Sequence, residues 1–293
     1  MPPSGSEAVG RIPVAKTYKL FIGGTFPRSE SGRSYAATRR NGDFLANAAQ
    51  ASRKDVRDAV VAARKAQPGW AAATAYNRGQ VLYRVAEMME LRRPQFVGEV
   101  AAADGLDIET AVHVVDETVD RWVWYAGWAD KIAQVAGSSN PVAGPYFNFT
   151  VPEPTGVVAV IAPQDSSLLG LVSVIAPAIV SGNAVVVVAA QERPLAAITL
   201  AEALATSDVP GGVVNILTGV TAELAPVLAA HMDVNAIDLA GAPGEMVPAL
   251  ERSAADNVKR VVRPDGTDWA ASPTPDRMLA LVEAKTVWHP VGI

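Results

Sequence analysis

The spacing of apolar positions changes character along the chain. In the first half the period is helical. Ser52 with Asp55 three residues on forms a capping pair ahead of Val56, Ala59, Val60 and Ala63. These recur at i, i+3, i+4 and i+7 and predict a helix that stops near Pro68-Gly69. A second helix is predicted from about Asn77 to Arg93, with Val81, Leu82, Val85, Met88 and Met89 on one face. A third runs from Ile108 to Ala136 and turns Val112, Val115, Val119, Trp122 and Val123 inward. Ahead of them, Tyr18 to Phe26 reads as two short strands around Gly23-Gly24, and residues 1–17 as a flexible tail.

The second half is built differently. Short runs rich in β-branched residues alternate with helical stretches: strands at Gly156–Ala162, Ala184–Val188, Val213–Leu217, Ala236–Leu239 and Val258–Val262. The helices between them are Leu168–Val180, Leu195–Thr206, Ala222–His231 and Glu245–Ser253. Such alternation is the sequence form of an α/β, Rossmann-like, doubly wound parallel sheet with flanking helices. Right-handed crossovers bring all strand carboxyl ends to one edge, so Pro163–Ser167, Ala189–Arg193, Gly219–Ala222 and Ala240–Gly244 are expected to form the mouth of any site. After Pro264 the pattern breaks. Residues 265–275 read as a linker, Asp276–Ala284 as a short helix and Lys285–Pro290 as an extended segment able to pair with Tyr146–Phe149 and Val151–Pro154.

Composition narrows the chemistry. The chain of 293 residues is 49% hydrophobic and 19% charged, with net charge −5, and its basic residues are scattered, which argues against a nucleic-acid partner. The apolar run Gly156–Ala162 is too short to span a bilayer, and Met1–Lys16 lacks the apolar stretch of a signal peptide, so no membrane association and a cytoplasmic location are expected. With no cysteine in the sequence, disulfides, thiolate–metal sites and thiol catalysis by this chain are excluded together.

Several segments, in order and in register, carry a resemblance. They are Leu20-Phe-Ile-Gly-Gly24, Glu153-Pro-Thr-Gly-Val-Val158, Ile175-Ala-Pro-Ala178, Ser181-Gly-Asn-Ala-Val-Val186, Pro210–Gly219 and Asn257-Val-Lys-Arg260. Over roughly residues 18–264 the chain resembles the aldehyde dehydrogenases. The resemblance implies one domain of that type over 18–136 and 155–264, with an oligomerisation-type strand segment at 137–154 and a linker, short helix and terminal strand at 265–293. The ending Lys285-Thr-Val-Trp-His-Pro-Val-Gly292 resembles the second, non-catalytic module of the two-module family-sixteen enzymes.

The family's working positions depart from its pattern. Where members carry Ile-Pro-Trp-Asn, with the asparagine donating to the oxyanion, this chain has Ala162-Pro163-Gln164-Asp165, and an ionised Asp165 can only accept. Where members grip the adenosine ribose with Lys-Pro-x-Glu, it has Val188, Ala189, Ala190 and Gln191. The glycine-rich third loop reads Val220-Thr221-Ala222, and the hydroxyl-bearing fourth loop reads Ala240-Gly241-Ala242. The family's general base falls on Pro264, and the catalytic domain that follows in members has no counterpart.

Other groups have plain structural readings. Asp165-Ser166-Ser167 suits a helix amino cap better than a nucleophile cluster, because no histidine neighbours it. His113, Asp116, Glu117 and Asp120 read as a solvated helix face, not a metal stripe, and His231 as a group near a helix carboxyl end. Trp122, Trp124, Tyr125 and Trp128 place aromatic rings on both sides of one helix, which suggests either a partner surface or a sandwiched helix. The expectation is a catalytically inactive subunit with no metal and no catalytic residue. Its vestigial cleft is formed by Ala162, Gln164, Asp165, Val188, Gln191, Thr221 and Ala242. No cofactor is expected in the chain itself, with NAD or NADP bound by a complete aldehyde dehydrogenase partner in a hetero-oligomer. A nucleotide or small-molecule sensor using that cleft is the alternative, and an active NAD(P)-dependent aldehyde oxidoreductase is a third reading.

Overall fold

A computed structural model describes residues 16–292. The amino-terminal layer comprises β1 (Thr17–Tyr18), β2 (Ser34–Thr38) and β3 (Phe44–Ala49), then helices α1 (Arg53–Ala72), α2 (Ala75–Leu91), α3 (Arg93–Asp104), α4 (Ile108–Ala126) and α5 (Ile132–Ala136). A second segment carries β4 (Ser138–Asn140) and β5 (Tyr146–Pro154). The alternating half follows: β6 (Val157–Ile161), α6 (Leu169–Val180), β7 (Ala184–Val188), α7 (Leu195–Leu204), β8 (Val214–Leu217), α8 (Thr221–Ala230), β9 (Ala236–Asp238), α9 (Val247–Ala255) and β10 (Arg260–Val262). The chain then forms α10 (Asp276–Leu279) and β11 (Val282–Pro290). Among the described residues no helix is long and apolar enough to cross a membrane.

The central sheet runs β10-β9-β6-β7-β8, with every pair parallel. Strands β6 and β7 are apolar at every position because both faces of the sheet are covered. Val158 and Val160 of β6 join the core under α2, α4, α6 and α7, while Val157, Ala159 and Ile161 join the core under α1, α8 and α9. All twelve residues of α6 are buried, as befits a helix apolar on all sides. The order reverses between β6 and β9, which sets the switch point where doubly wound sheets bind ligands.

Several boundaries differ from expectation for identifiable reasons. Residues 1–15 of the expected tail lie outside the described residues. Thr17 is not tail but pairs with Asn47 as part of β1. Gly23-Gly24 do make a tight turn, both at positive φ, but each arm is only a bridge, and Phe21 pairs across to Ile216. Helix α1 passes through Pro68, because Trp70 Nε1 donates to Ile179 O at 2.8 Å and Gln67 Nε2 to Gly182 O at 3.3 Å, anchoring the final turn to the sheet layer. The third helix divides: α4 ends at Ala126, capped by Gly127, and α5 begins at Ile132. The buried face of α4 is Ala111, Val115, Thr118, Arg121, Trp122 and Tyr125, while Val123 is 39% exposed. Helix α10 stops at Leu279, and the terminal strand begins at Val282. It pairs antiparallel with β5 over its full length, from Val282↔Pro154 to Pro290↔Tyr146.

Residues between β10 and β11 form a strap held by two arginines. Arg121 donates to Ser173 Oγ, Trp269 O and Ala271 O, each at 3.0 Å. Arg277 meets the fully buried Asp238 at 2.5 Å and lies 5.4 Å from the Trp269 ring. Met278 and Leu281 are wholly buried beneath. Burial pushes the Asp238 carboxyl above its ordinary range, and Arg277 opposes that shift. Because ionised Asp238 is tolerated only when paired, Arg277→Met should cost about 3–5 kcal/mol at neutral pH. A raised native pKa means the penalty is felt as pH rises through it, so the deficit should narrow as pH falls and Asp238 protonates. Urea unfolding of both proteins across acid to neutral pH checks this; a deficit that does not change with pH refutes it.

Candidate functional site

The four expected loops do meet at the carboxyl edge of the parallel sheet, and backbone and side-chain bonds join them. At the switch point, Gly241 N donates to Ile161 O at 2.8 Å, and a Cβ on Gly241 would lie 1.8 Å from Ala162 O. Only glycine allows the loops after β6 and β9 to approach this closely. Ala162 N donates to Val188 O at 3.0 Å, so the exits of β6 and β7 are joined as well. Val188 and Ala162 are buried, and neither offers a side-chain donor.

Two glutamines tie three loops together. Gln164 Nε2 donates to Ala162 O at 2.7 Å, and its Oε1 accepts from Gln191 N at 2.9 Å. Gln191 Oε1 in turn accepts from Thr221 N at 3.0 Å. Thr221 opens α8, so Gln191 satisfies one of the backbone donors that a helix amino end leaves free. The Thr221 hydroxyl is buried without a partner among the described residues.

The loop after β6 is fixed from its other side. Ser166 Oγ accepts from Gly170 N at 2.8 Å in the first turn of α6, but the cap position itself is Leu168, without a side-chain cap bond, so the cap expected of Asp165-Ser166-Ser167 is met only by this one bond. Ser167 Oγ donates to Asp104 Oδ2 at 2.9 Å. Arg193 donates to Asp165 O at 3.2 Å and lies 3.5 Å from Asp104 Oδ1. Burial raises the Asp104 carboxyl above its ordinary range, with Ser167 and Arg193 pulling the other way. The Asp165 residue is exposed, and Ala242 packs partly buried against the core beneath α8 and α9.

The structure thus brings Ala162, Gln164, Gln191 and Thr221 into one bonded set. Val188 sits beneath them, and Asp165 and Ala242 flank it without joining. Asp104, at the end of α3, is a participant that sequence reading missed, while Arg193 lies in a loop expected at the mouth but was given no role there. A buried acid and a distant arginine have no shared motif, and the only available signal was Pro94 followed by Gly105 as punctuation for an extra helix.

The remaining candidates fall into structural roles. Asp116 accepts two bonds from Arg93, at 2.6 and 2.7 Å, while His113 and Asp120 are exposed. Among the described residues no group of three acidic, histidine or cysteine side chains could hold a metal. His231 caps the carboxyl end of α8, and burial holds its pKa below the ordinary value. Trp122 and Tyr125 are buried, and Trp124 and Trp128 pack partly buried on the same core with their rings 5.5 Å apart. The α4 aromatics therefore form no exposed patch.

Gly241→Ala should destabilise the fold by about 3 kcal/mol, the upper end of the usual cost of overpacking. Gly244→Ala, where nothing lies within 4 Å of the new methyl, should change little. Equal urea midpoints for the two variants would refute the close approach.

Comparison with known proteins places this geometry. The aldehyde dehydrogenase family profile matches residues 27–266. The chain is 33% identical to the mitochondrial benzaldehyde dehydrogenase of Antirrhinum majus over 254 residues, which is 85% of this chain and 47% of that protein. It is 32% identical to the cytosolic 10-formyltetrahydrofolate dehydrogenase of Mus musculus over 267 residues, covering 87% of this chain and 29% of that one. A solved NAD+ complex of an aldehyde dehydrogenase from Bacillus cereus superposes with TM-score 0.78 at 28% identity, covering 84% of this chain and 50% of the other. HpcC from Thermus thermophilus gives the same TM-score of 0.78 at 30% identity, over 84% and 47% of the two chains. The parallel sheet and its flanking helices match the NAD-binding domain of these enzymes, and the chain spans about half the length of most of the relatives it matches. On the extent of the profile match, the chain belongs to the aldehyde dehydrogenase family.

Proposed function

We propose that this chain is a non-catalytic aldehyde dehydrogenase-like subunit that associates with a complete aldehyde dehydrogenase and stabilises or regulates it. One observation carries the reading: the sheet mouth is held together by the chain's own groups. Gly241 lies against Ala162, and Gln164 and Gln191 bond the loops to one another and to α8. Those bonds occupy the amide groups of both glutamines, and buried Val188 supplies no donor for a ribose. The residues present do not fit NAD or NADP, so no catalytic step runs through this mouth, and the cofactor would belong to the partner.

The association surface in this proposal is the sheet β11-β5-β4. Nine residues of β11 pair with β5 on one side, and among the described residues no strand pairs with the other side. Trp288 is 58% exposed with its ring 5.8 Å from that of Tyr146, and Phe147 is exposed on the opposite face, its ring 5.4 Å from that of Phe149. An unpaired edge with aromatic side chains favours strand addition to another sheet. This organisation also suits the second-module resemblance of the terminal segment, and the cytoplasm is the compartment proposed for the pair.

Native mass spectrometry of the chain with a complete aldehyde dehydrogenase from the same organism tests the proposal. A mixed oligomer is expected, weakened at least tenfold by Trp288→Asp. A chain that stays alone in the presence of that enzyme overturns the association. Titration calorimetry with NAD and NADP is expected to give no binding, and micromolar affinity would favour the sensor reading instead.

A further inference from the structure

The free side of β11 has a pattern of its own. Leu281 O accepts from Thr155 N at 3.4 Å and Val291 N donates to Pro145 O at 2.8 Å, so the odd-numbered positions between them turn their backbone groups toward β5. The even-numbered positions, Val282, Ala284, Thr286, Trp288 and Pro290, turn theirs away, and among the described residues no strand meets them. Pro290 has no N–H to offer, so the row of outward donors stops at Trp288.

The sequence of this edge complements itself. Turned about a two-fold axis through Thr286 and laid antiparallel on a second copy, β11 pairs over its whole length. Glu283 then stands opposite His289, Ala284 opposite Trp288, Lys285 opposite Val287 and Val282 opposite Pro290. Directly opposite side chains lie within contact distance, closest in the non-hydrogen-bonded pairs, which here include Glu283 with His289. The acid meets the imidazole twice, once on each side of the axis, and each Trp288 covers an alanine small enough to receive it. His289 is exposed and has no side-chain partner among the described residues. Arg260 donates to both oxygens of Glu283, at 3.1 and 2.7 Å, and the carboxylate has further lone pairs to offer.

The neighbouring registers are disfavoured by charge. Outward backbone groups meet only when even positions oppose even ones, so the register changes in steps of two. One step puts Lys285 opposite Lys285 of the second copy, and the step in the other direction puts it opposite His289. Like charges directly opposite each other destabilise a strand pair. A double step pairs Glu283 with Lys285 but confines the contact to Val282–Thr286.

We propose that β11 pairs antiparallel with β11 of a second copy of this chain, about a two-fold axis at Thr286. The contact is isologous, as closed dimers require, and joins two sheets into one in the order β4-β5-β11-β11-β5-β4. It occupies the edge proposed for the complete enzyme, so the two associations exclude each other. Self-pairing needs only this chain, which keeps its test separate from that of the mixed oligomer.

The sequence contains no cysteine, so a single introduced thiol reports the register. The full chain carrying Thr286→Cys, oxidised in dilute solution, is expected to form a disulfide-linked dimer, because Cα atoms opposed in such a pair lie about 5.5 Å apart. Val282→Cys, displaced from the axis along both copies, should stay unlinked. Sedimentation velocity of the unaltered chain alone should show a reversible dimer. His289→Glu and Glu283→Lys should each weaken it about tenfold, and the two together should restore it. The His289 side chain has no partner within the chain, so His289→Glu should keep the melting midpoint. A monomer at every concentration, equal crosslinking of the two cysteine variants, or a double variant as weak as the single ones overturns the assignment.

Discussion

A parallel sheet covered on both faces has no solvent to satisfy the polar groups where its strands begin, and buried asparagines meet that demand in this chain. Asn183 is completely buried; its Oδ1 accepts from Gly156 N at 2.7 Å, and its Nδ2 faces Ala178 O, Ser181 Oγ and Leu281 O at 3.1, 2.9 and 2.9 Å. One amide therefore joins the start of β6, the end of α6 and the strap that leads into β11. Asn215 does the same for β8, donating to Val185 O and Gly212 O and accepting from Gly23 N in the amino-terminal turn. Asn235 receives Val157 N at 3.0 Å beside Arg64. A buried donor left unmet costs about 1–3 kcal/mol, comparable to a large share of a domain's net stability. The position of the terminal strand is thus coupled to the same side chain that starts the central sheet.

That coupling explains why the sheet was legible in the sequence and the periphery was not. Strands β6 and β7 are runs of valine, alanine and isoleucine because both faces are buried, and their order followed from the alternation with helices. The first helix was legible from its cap, but its end was not, because the anchors of the last turn, Ile179 and Gly182, lie more than a hundred residues away. The break after α4 and the inward turn of Tyr125 are also tertiary effects, the latter fixed by packing under residues of the strap. The β2–β3 hairpin carried a readable signal in Asn41-Gly42, with Gly42 at φ 91°, that periodicity in its short strands did not reinforce.

The site divides in the same way. Its location followed from topology, since the loops at the carboxyl ends of parallel strands must share an edge. The residue types at Gln164, Gln191 and Thr221 were legible as departures from a family pattern. What they do was not, because an amide bridging three loops depends on distances that no spacing encodes. Asp104 and Arg193, or Arg39 and Arg193, are brought together by α3 and the hairpin, elements that the sequence pattern left undrawn.

The bonded mouth and the outer edge of the β11-β5-β4 sheet bear on each other. A cleft that binds a ligand must keep donors and acceptors unpaired until the ligand arrives, and such groups lower the stability of the empty state. At the mouth, the loop groups bond one another, and the switch point is filled by backbone. At the outer edge, by contrast, β11 keeps one side of its backbone unpaired among the described residues. The longest run of unused backbone hydrogen bonds therefore lies along the terminal strand. In the proposed association recognition runs along β11, while the parallel sheet serves as the rigid body that holds that strand in place.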